Sequence, residues 1–170
     1  MERFRKVAPI SSAQPPLNLF EREALEDIVP WCLANGIATL TYGALCRGLL
    51  TGKIDENTKF EGDDLRQTDP KFTPPRFAHY LRAVKLLERY ARERYQKSVL
   101  ALAVRWVLDQ PGVSVALGGA RHPRELAPLA DVMGWKLDDA ASPRQRALTE
   151  RDEASCTQIV YLYTEVARPF

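Results

Sequence analysis

Two short apolar runs, joined by one segment of helical length, place the strongest constraint on how this chain can fold. Residues 8–14 alternate as a buried strand does, and residues 37–42 form a second apolar, β-branched run. Between them, residues 22–34 carry apolar side chains at helical spacing, and Asn35-Gly36 supplies a C-cap. A strand–helix–strand unit with such tight connections is a βαβ crossover, which pairs its two strands in parallel.

The alternation of strands and helices continues beyond this unit. The sequence predicts helices over residues 76–95 and 98–108, a third strand over residues 113–117, and a further helix over residues 123–132. Three strands separated by helices fit either a small doubly wound sheet or part of a (β/α) barrel, which needs eight strands to close. We expect an α/β fold in a single domain, residues 1–170.

Composition and charge exclude several classes of function. The 24 basic and 22 acidic side chains give a net charge of +2, so no long-range field favours nucleic acid or anionic lipid. No run approaches the roughly 18 apolar residues of a membrane span. The 2 histidines and 3 cysteines have no metal-site spacing. We expect a cytoplasmic protein with reduced thiols, no metal, and neither a membrane nor a nucleic-acid partner.

The first segment that could carry chemistry, TYGALCRGLLTGK, begins within the second predicted strand and continues into a loop. Its glycines let backbone approach a ligand closely, and Arg47 and Lys53 supply positive charge beside them. A flexible strand-to-loop turn with a solvated lysine explains the same spacing equally well, because a lone glycine-rich turn is weak support for a binding site.

The second segment, GGARHPREL, follows the third predicted strand. Two glycines precede a helix that starts near Pro123, so backbone N–H groups and the charges of Arg121 and Arg124 could form an anion site. The alternative is an ordinary strand–helix connection with surface arginines. Gln14, at the carboxyl end of the first strand, could turn its amide into a site or lie solvated in a loop. No motif for nucleophilic catalysis and no Walker loop accompanies them.

Together and in this order, these segments resemble the aldo-keto reductase family. QPPLNLFERE is similar to the family's sixth-strand segment, TYGALCRGLLTGK to its seventh-strand cofactor loop, and GGARHPRELAPLADVMGW to its last cofactor segment. KFEGDDLRQTDPKFTPPRF is similar to the bacterial branch that contains the general-stress and inositol-operon reductases. The resemblance covers about residues 1–137 and leaves residues 138–170 as a divergent tail. It implies a partial (β/α)8 TIM barrel, made of the C-terminal strands and helices only.

The resemblance also implies that the chain binds NADP(H). In the family's arrangement Gln14 would hold the nicotinamide carboxamide and Tyr42 would stack on the ring. The pyrophosphate would be lined by Gly43, Ala44, Leu45, Arg47, Gly48 and Lys53. The adenosine 2′-phosphate would lie at Gly119, Ala120 and Arg121, with Glu125 nearby. Glu125 stands where the family commonly has Gln, and Pro128 and Leu129 replace an acid and an Asn that hold the adenine in many members.

The same resemblance implies a parent enzyme that reduces a small carbonyl substrate, an aldehyde or ketone, to the alcohol. The family's catalytic Asp, Tyr, Lys and His lie in its N-terminal half, before the part that this chain resembles, so no catalytic residue is assigned. We expect a cofactor-binding half that is inactive alone. The alternative is a non-catalytic half-barrel that binds a nucleotide, associates with itself or pairs with the missing N-terminal half, because an exposed strand edge invites pairing.

Overall fold

The computed structural model describes residues 1–120 and 122–138, and this part of the chain divides into two compact units. Unit 1 consists of Met1–Cys46 and Ala103–Lys136 apart from residue 121, and unit 2 consists of Arg47–Leu102 together with Leu137 and Asp138. The tail predicted to diverge from residue 138 onward lies, except for its first residue, outside the described residues.

A parallel sheet lies at the centre of unit 1. In the described part of the chain it has three strands, which occur in chain order across the sheet: β1 (Ser12–Ala13), β2 (Ala38–Thr41) and β3 (Val115–Ala116). Residue Ser12 is paired with Ala38, and Leu40 is paired with Val115. The predicted parallel pairing is therefore confirmed, although each strand is shorter than the apolar run that predicted it.

The connection between β1 and β2 is a 3-10 turn followed by a short helix. A single turn of helix near the N-terminus, α1 (Glu2–Arg5), precedes β1. In the connection itself the 3-10 turn covers Glu23–Leu25, and the helix, α2, covers Ile28–Ala34. At the end of α2 the Ile37 N–H donates to the Cys32 carbonyl at 2.9 Å, and Gly36 is left-handed with φ 66°. The predicted glycine C-cap is thus confirmed.

The two faces of β2 differ in burial. Thr39 and Thr41 are fully buried, whereas Ala38 is exposed and Leu40 is partly exposed. The Thr41 hydroxyl donates to the Val115 carbonyl at 3.2 Å, which satisfies one buried polar group within the sheet. The sheet therefore has one packed face and one open face.

Unit 2 contains the longest helix, and its bounds match the prediction. α3 covers Arg76–Tyr95 and ends at Gln96, which is left-handed with φ 56° and whose N–H donates to the Arg92 carbonyl at 3.1 Å. The next helix, α4 (Val99–Leu108), starts in unit 2 and continues into unit 1. Ser98 caps it, because the Ser98 hydroxyl accepts from the Ala101 N–H at 3.2 Å.

The segment after β3 does not form the predicted α-helix over residues 123–132. It forms two 3-10 turns, Pro123–Glu125 and Ala127–Val132, in which the Leu126 N–H donates to the Pro123 carbonyl at 3.0 Å. Pro128 has no N–H to give to a carbonyl four residues earlier, so an α-helical ladder cannot run through this position. Of the residues in this segment only Val132 is buried, so the predicted helix is wrong in type and most of the segment is accessible.

The tryptophans differ in burial. Trp106 is buried on α4, whereas Trp31 and Trp135 are partly exposed. Within residues 1–120 and 122–138, none of the helices combines the length and the hydrophobicity that crossing a membrane would require.

Two left-handed glycines in unit 1 test the packing around α2. Gly36 has φ +66° and a Cβ there would meet nothing within 4 Å, whereas a Cβ on Gly112, at φ +94°, would lie 3.0 Å from Val29 Cγ1. Replacement Gly36→Ala should lower the free energy of unfolding by about 1 kcal/mol, from backbone strain alone. Gly112→Ala should lower it by about 2–3 kcal/mol, because steric overlap adds to the strain.

Urea unfolding of the two variants and the parent chain measures the difference. Equal losses in the two variants would contradict the close approach of Gly112 to α2.

Candidate functional site

The carboxyl ends of β1, β2 and β3 lie at one edge of the sheet in unit 1. Gln14 follows β1, Tyr42 follows β2, and residues 117–120 follow β3. The Tyr42 N–H donates to the Pro15 carbonyl at 3.1 Å, and the Leu117 N–H donates to the Thr41 carbonyl at 2.7 Å. Pairing therefore continues up to this edge, which is the side of a parallel sheet where α/β folds bind ligands.

Most of the predicted site residues of unit 1 are accessible at or beside this edge. Tyr42 is 46% exposed. Leu45 and Glu125 are partly exposed, and Ala44 is buried. The other described residues predicted for the site in unit 1 are exposed: Gln14, Gly43, Gly119 and Ala120. A Cβ on Gly43 or Gly119 would meet nothing within 4 Å, so a flat ligand has room against the backbone at both positions. Arg121 lies outside the described residues.

A buried amide joins the loop after β1 to the loop after β2. Asn18 is fully buried, and its Nδ2 donates to the Gly43 carbonyl at 3.0 Å and to the Glu21 carboxylate at 2.6 Å. Its Oδ1 accepts from the N–H groups of Phe20 and Glu21 at 2.9 and 3.0 Å. These bonds fix the backbone at Gly43. Asn18 was not predicted as a site residue, although a lone amide in the apolar run LNLF was the available signal.

The glycine-rich loop continues into unit 2 as a 3-10 segment, Cys46–Thr51, that is interrupted by left-handed residues. The φ values are 46° at Cys46, 52° at Arg47 and 95° at Gly48. The Thr51 hydroxyl donates to the Gly48 carbonyl at 2.6 Å and accepts from the Lys53 N–H at 3.2 Å. These bonds fix the backbone after the turn, and Lys53 is exposed.

Two ion pairs hold Arg47 and a second cation at one carboxylate. Asp69 Oδ2 lies 3.1 Å from Arg47 Nε and 3.2 Å from Lys71 Nζ. The Asp69 side chain is 7% exposed and that of Arg47 is 48% exposed. The cluster of Arg47, Lys71 and Asp69 therefore has a net positive charge. Its carboxylate is buried, and the Arg47 side chain is partly exposed.

A third cation supports the backbone of the same turn. Arg66 Nη1 donates to the Arg47 carbonyl at 3.4 Å, and Arg66 lies over the Phe60 ring with 4.4 Å to its centroid. Arg66 also contacts Asp64 at 2.5 Å, and the hydrogen bond to Asp64 raises the pKa of Arg66 above its usual value. The guanidinium thus stays charged beside Arg47.

The chemistry of this donor set suits a phosphate rather than a metal. Arginine and lysine beside open glycine backbone are the groups that bind phosphate oxygens in proteins. Among the described residues, no group of three or more His, Cys, Asp or Glu side chains is placed to hold a metal ion.

Both the sequence and the structure of this chain are similar to those of known proteins. The model of the aldo/keto reductase family matches residues 1–150. Aldo-keto reductase YhdN of Bacillus subtilis (strain 168) is 57% identical over 138 residues, which cover 81% of this chain and 42% of that protein. The NADH-specific methylglyoxal reductase of Escherichia coli (strain K12) is 27% identical over 152 residues, or 88% of this chain and 45% of that protein.

The fold comparison agrees with the family match. The glycerol dehydrogenase of Gluconobacter oxydans has a similar structure, with a TM-score of 0.82 and 44% sequence identity, over 100% of this chain and 47% of that chain. The chain thus spans less than half the length of these relatives, and its parallel sheet and helices correspond to part of an aldo-keto reductase TIM barrel. On these matches, the chain belongs to the aldo/keto reductase family.

Proposed function

We propose that this chain supplies the cofactor-binding part of an NADP(H)-dependent reductase that converts aldehydes or ketones to alcohols. The single observation that carries the proposal is the Gly43–Lys53 loop, which begins with unobstructed backbone at Gly43 and contains a left-handed turn with a half-exposed Arg47. Family membership supports a nicotinamide cofactor, which when bound supplies the hydride for the carbonyl carbon.

The residues after β1 and β2 suit the nicotinamide end of the cofactor. The exposed Gln14 amide carries both a donor and an acceptor, which are the groups needed to bind a carboxamide. The ring of Tyr42, at 46% exposure, has accessible surface on which a flat ring can stack. Both residues follow directly from paired strands, so their backbone is held in place when the ligand arrives.

The resemblance assigns the residues of the loop after β2 to the pyrophosphate. Gly43, Ala44 and Leu45 are expected to line it with backbone, with Gly43 anchored by Asn18. In unit 2, Arg47 and Lys53 supply two positive charges, and Gly48 lies between them. Hydrogen bonds from cations to phosphate are about twice as strong as neutral ones. Among these loop residues, Arg47 should therefore contribute most of the affinity for the pyrophosphate.

The preference for NADP(H) over NAD(H) rests on the GGARHPREL segment. The resemblance assigns Gly119, Ala120 and Arg121 to the 2′-phosphate, and a bidentate arginine contact favours the phosphorylated cofactor. Glu125 places a carboxylate close to that position and opposes the preference. Since one relative bears the name NADH-specific, family membership alone does not decide between the two cofactors.

No group of this chain is assigned to the reacting atoms, and we propose that the proton donor belongs to the N-terminal half of the parent enzyme. The substrate is a small carbonyl compound, and residues 1–170 act as one domain. The role of this chain is then to bind and orient the cofactor rather than to transfer a proton.

Binding of NADPH to the purified chain tests the proposal. Calorimetry should detect saturable binding that is weaker for NADH. Arg121→Ala should raise the NADPH dissociation constant by about tenfold or more through loss of one charged hydrogen bond, and should leave that for NADH unchanged. Arg124→Ala is the comparison, because Arg124 is an exposed arginine of the same predicted anion site that the resemblance does not assign to the cofactor.

If a folded chain binds neither cofactor, the cofactor-binding role of this chain is wrong. If Arg124→Ala weakens binding as much as Arg121→Ala does, the assignment of the 2′-phosphate to Arg121 is wrong.

The open face of the sheet favours a second property, self-association. Val115 and Leu117, in and directly after β3, are 42% and 37% exposed. In the described part of the chain no strand lies beyond β3, so its edge is unpaired. Exposed apolar residues on an unpaired parallel strand favour pairing with another chain. We propose that two copies of the chain associate here.

Sedimentation of the chain over a range of concentrations tests this second proposal. The parent chain should form concentration-dependent oligomers, and Leu117→Lys should shift it toward monomer because a charge at the interface must be desolvated. Met133→Lys is the matched control, since Met133 is 69% exposed and lies outside the strands. A monodisperse parent monomer, or an equal effect of both variants, would overturn the proposal.

A further inference from the structure

Asp69 is a buried carboxylate whose contacts exceed those of a turn cap. Its Oδ1 accepts from the Lys71 N–H at 2.9 Å and begins the 3-10 turn Pro70–Phe72. Its Oδ2 contacts Arg47 Nε and Lys71 Nζ at 3.1 and 3.2 Å. Burying a carboxylate is costly unless charged partners compensate. Two cations compensate this one, and Arg47 comes from a distant part of the chain.

Asp64 begins the preceding turn in the same way. It accepts from the Arg66 N–H at 3.0 Å at the start of the 3-10 turn Leu65–Gln67, as Asp69 accepts from the Lys71 N–H in the next turn. Capping a turn requires only such a contact two residues along the chain. The ion pair of Asp69 with Arg47, 22 residues earlier in the sequence, is a contact that the cap does not require.

Arg47 needs such an anchor because its backbone is strained. Cys46 and Arg47 are non-glycine residues with φ of 46° and 52°, a conformation that costs about 1–2 kcal/mol per residue. Such strain persists only when surrounding contacts fix it. Here Arg66 binds the Arg47 carbonyl and Asp69 binds the Arg47 side chain.

The contact also leaves Arg47 able to bind an anion. Asp69 Oδ2 lies 3.1 Å from Arg47 Nε, and the Arg47 side chain is still 48% exposed. With two cations on one carboxylate, the cluster keeps a net positive charge. We propose that Asp69 is a positioning residue that holds Arg47 ready for the pyrophosphate of the nicotinamide cofactor. This inference rests on the proposed function.

Cofactor binding by variants of the full chain is the first arm of the test. Asp69→Asn keeps a turn-capping side chain and removes the charge, so it should raise the NADPH dissociation constant by about tenfold. Arg47→Ala should weaken binding at least as much, and the double variant should be no weaker than Arg47→Ala, because the two residues act as one unit. Asp69→Glu, which keeps the charge, should recover most of the affinity.

Asp55→Asn is the matched control for this arm. Asp55 also caps a turn of unit 2, accepting from the Asn57 N–H at 3.0 Å, but it is exposed and has no contact with Arg47. It should leave NADPH binding unchanged. Additive effects of Asp69→Asn and Arg47→Ala, or an equal effect of Asp55→Asn, would overturn the positioning role.

Limited trypsin digestion without cofactor is the second arm. Trypsin must draw the arginine side chain into its own pocket, so release of Arg47 should speed cleavage after it. Mass spectrometry should show faster cleavage after Arg47 in Asp69→Asn than in the parent, with cleavage after the exposed Arg124 unchanged. If the parent binds no NADPH, the proposed function fails, and this arm alone decides the positioning role: faster cleavage supports it and unchanged cleavage overturns it.

Should Asp69→Asn not fold, proton exchange at the arginine Nε–H groups of the parent chain replaces the variant. Slower exchange at Arg47 than at Arg124 supports the contact with Asp69, and equal exchange overturns it.

Discussion

The pairing of β2 with a strand on each side is the constraint on which unit 1 depends. The Ser114 N–H donates to the Thr39 carbonyl at 2.9 Å, and the Ala38 N–H donates to the Ser11 carbonyl at 3.2 Å, so β2 is tied to both neighbours. Parallel strands must all end on the same side. The loops that follow β1, β2 and β3 therefore meet at one edge whatever residues they contain, and the sequence of each loop then decides what the edge can bind.

Sequence patterns predicted the elements whose signal is repeated many times. α3 was predicted with its observed bounds, because 20 residues of helical periodicity leave little freedom in where it starts and ends. The strands were predicted in the correct places but too long: residues 8–14 contain only Ser12–Ala13 as paired strand. Apolar alternation indicates which side chains are buried, whereas strand length depends on how many backbone groups find partners, and no local pattern records that.

The same distinction separates the site residues that the sequence could suggest from those it could not. Arg47, Lys53 and the glycines could be named because positive charge and open backbone are local properties. Asn18 and Asp69 act through single contacts to Gly43 and Arg47, which lie far along the chain. Asp69 precedes a proline, as many loop aspartates do, so nothing in its neighbourhood marks it. Such residues become visible only when distant segments are placed in space.

In the proposed pyrophosphate site, the carboxylate of Asp69 weakens the attraction of the site for an anion. The contacts of Asp69 indicate how this carboxylate can still favour binding, by holding Arg47 in place. The net charge of +2 provides no long-range attraction, so affinity must come from short contacts. A mobile arginine loses about 1.5–2 kcal/mol of side-chain entropy on binding, whereas an arginine already held by Asp69 loses it during folding. The repulsion is limited because Asp69 is 7% exposed and two cations share its Oδ2. The proposed positioning role therefore requires that Asp69 stay buried and that Arg47 stay partly exposed.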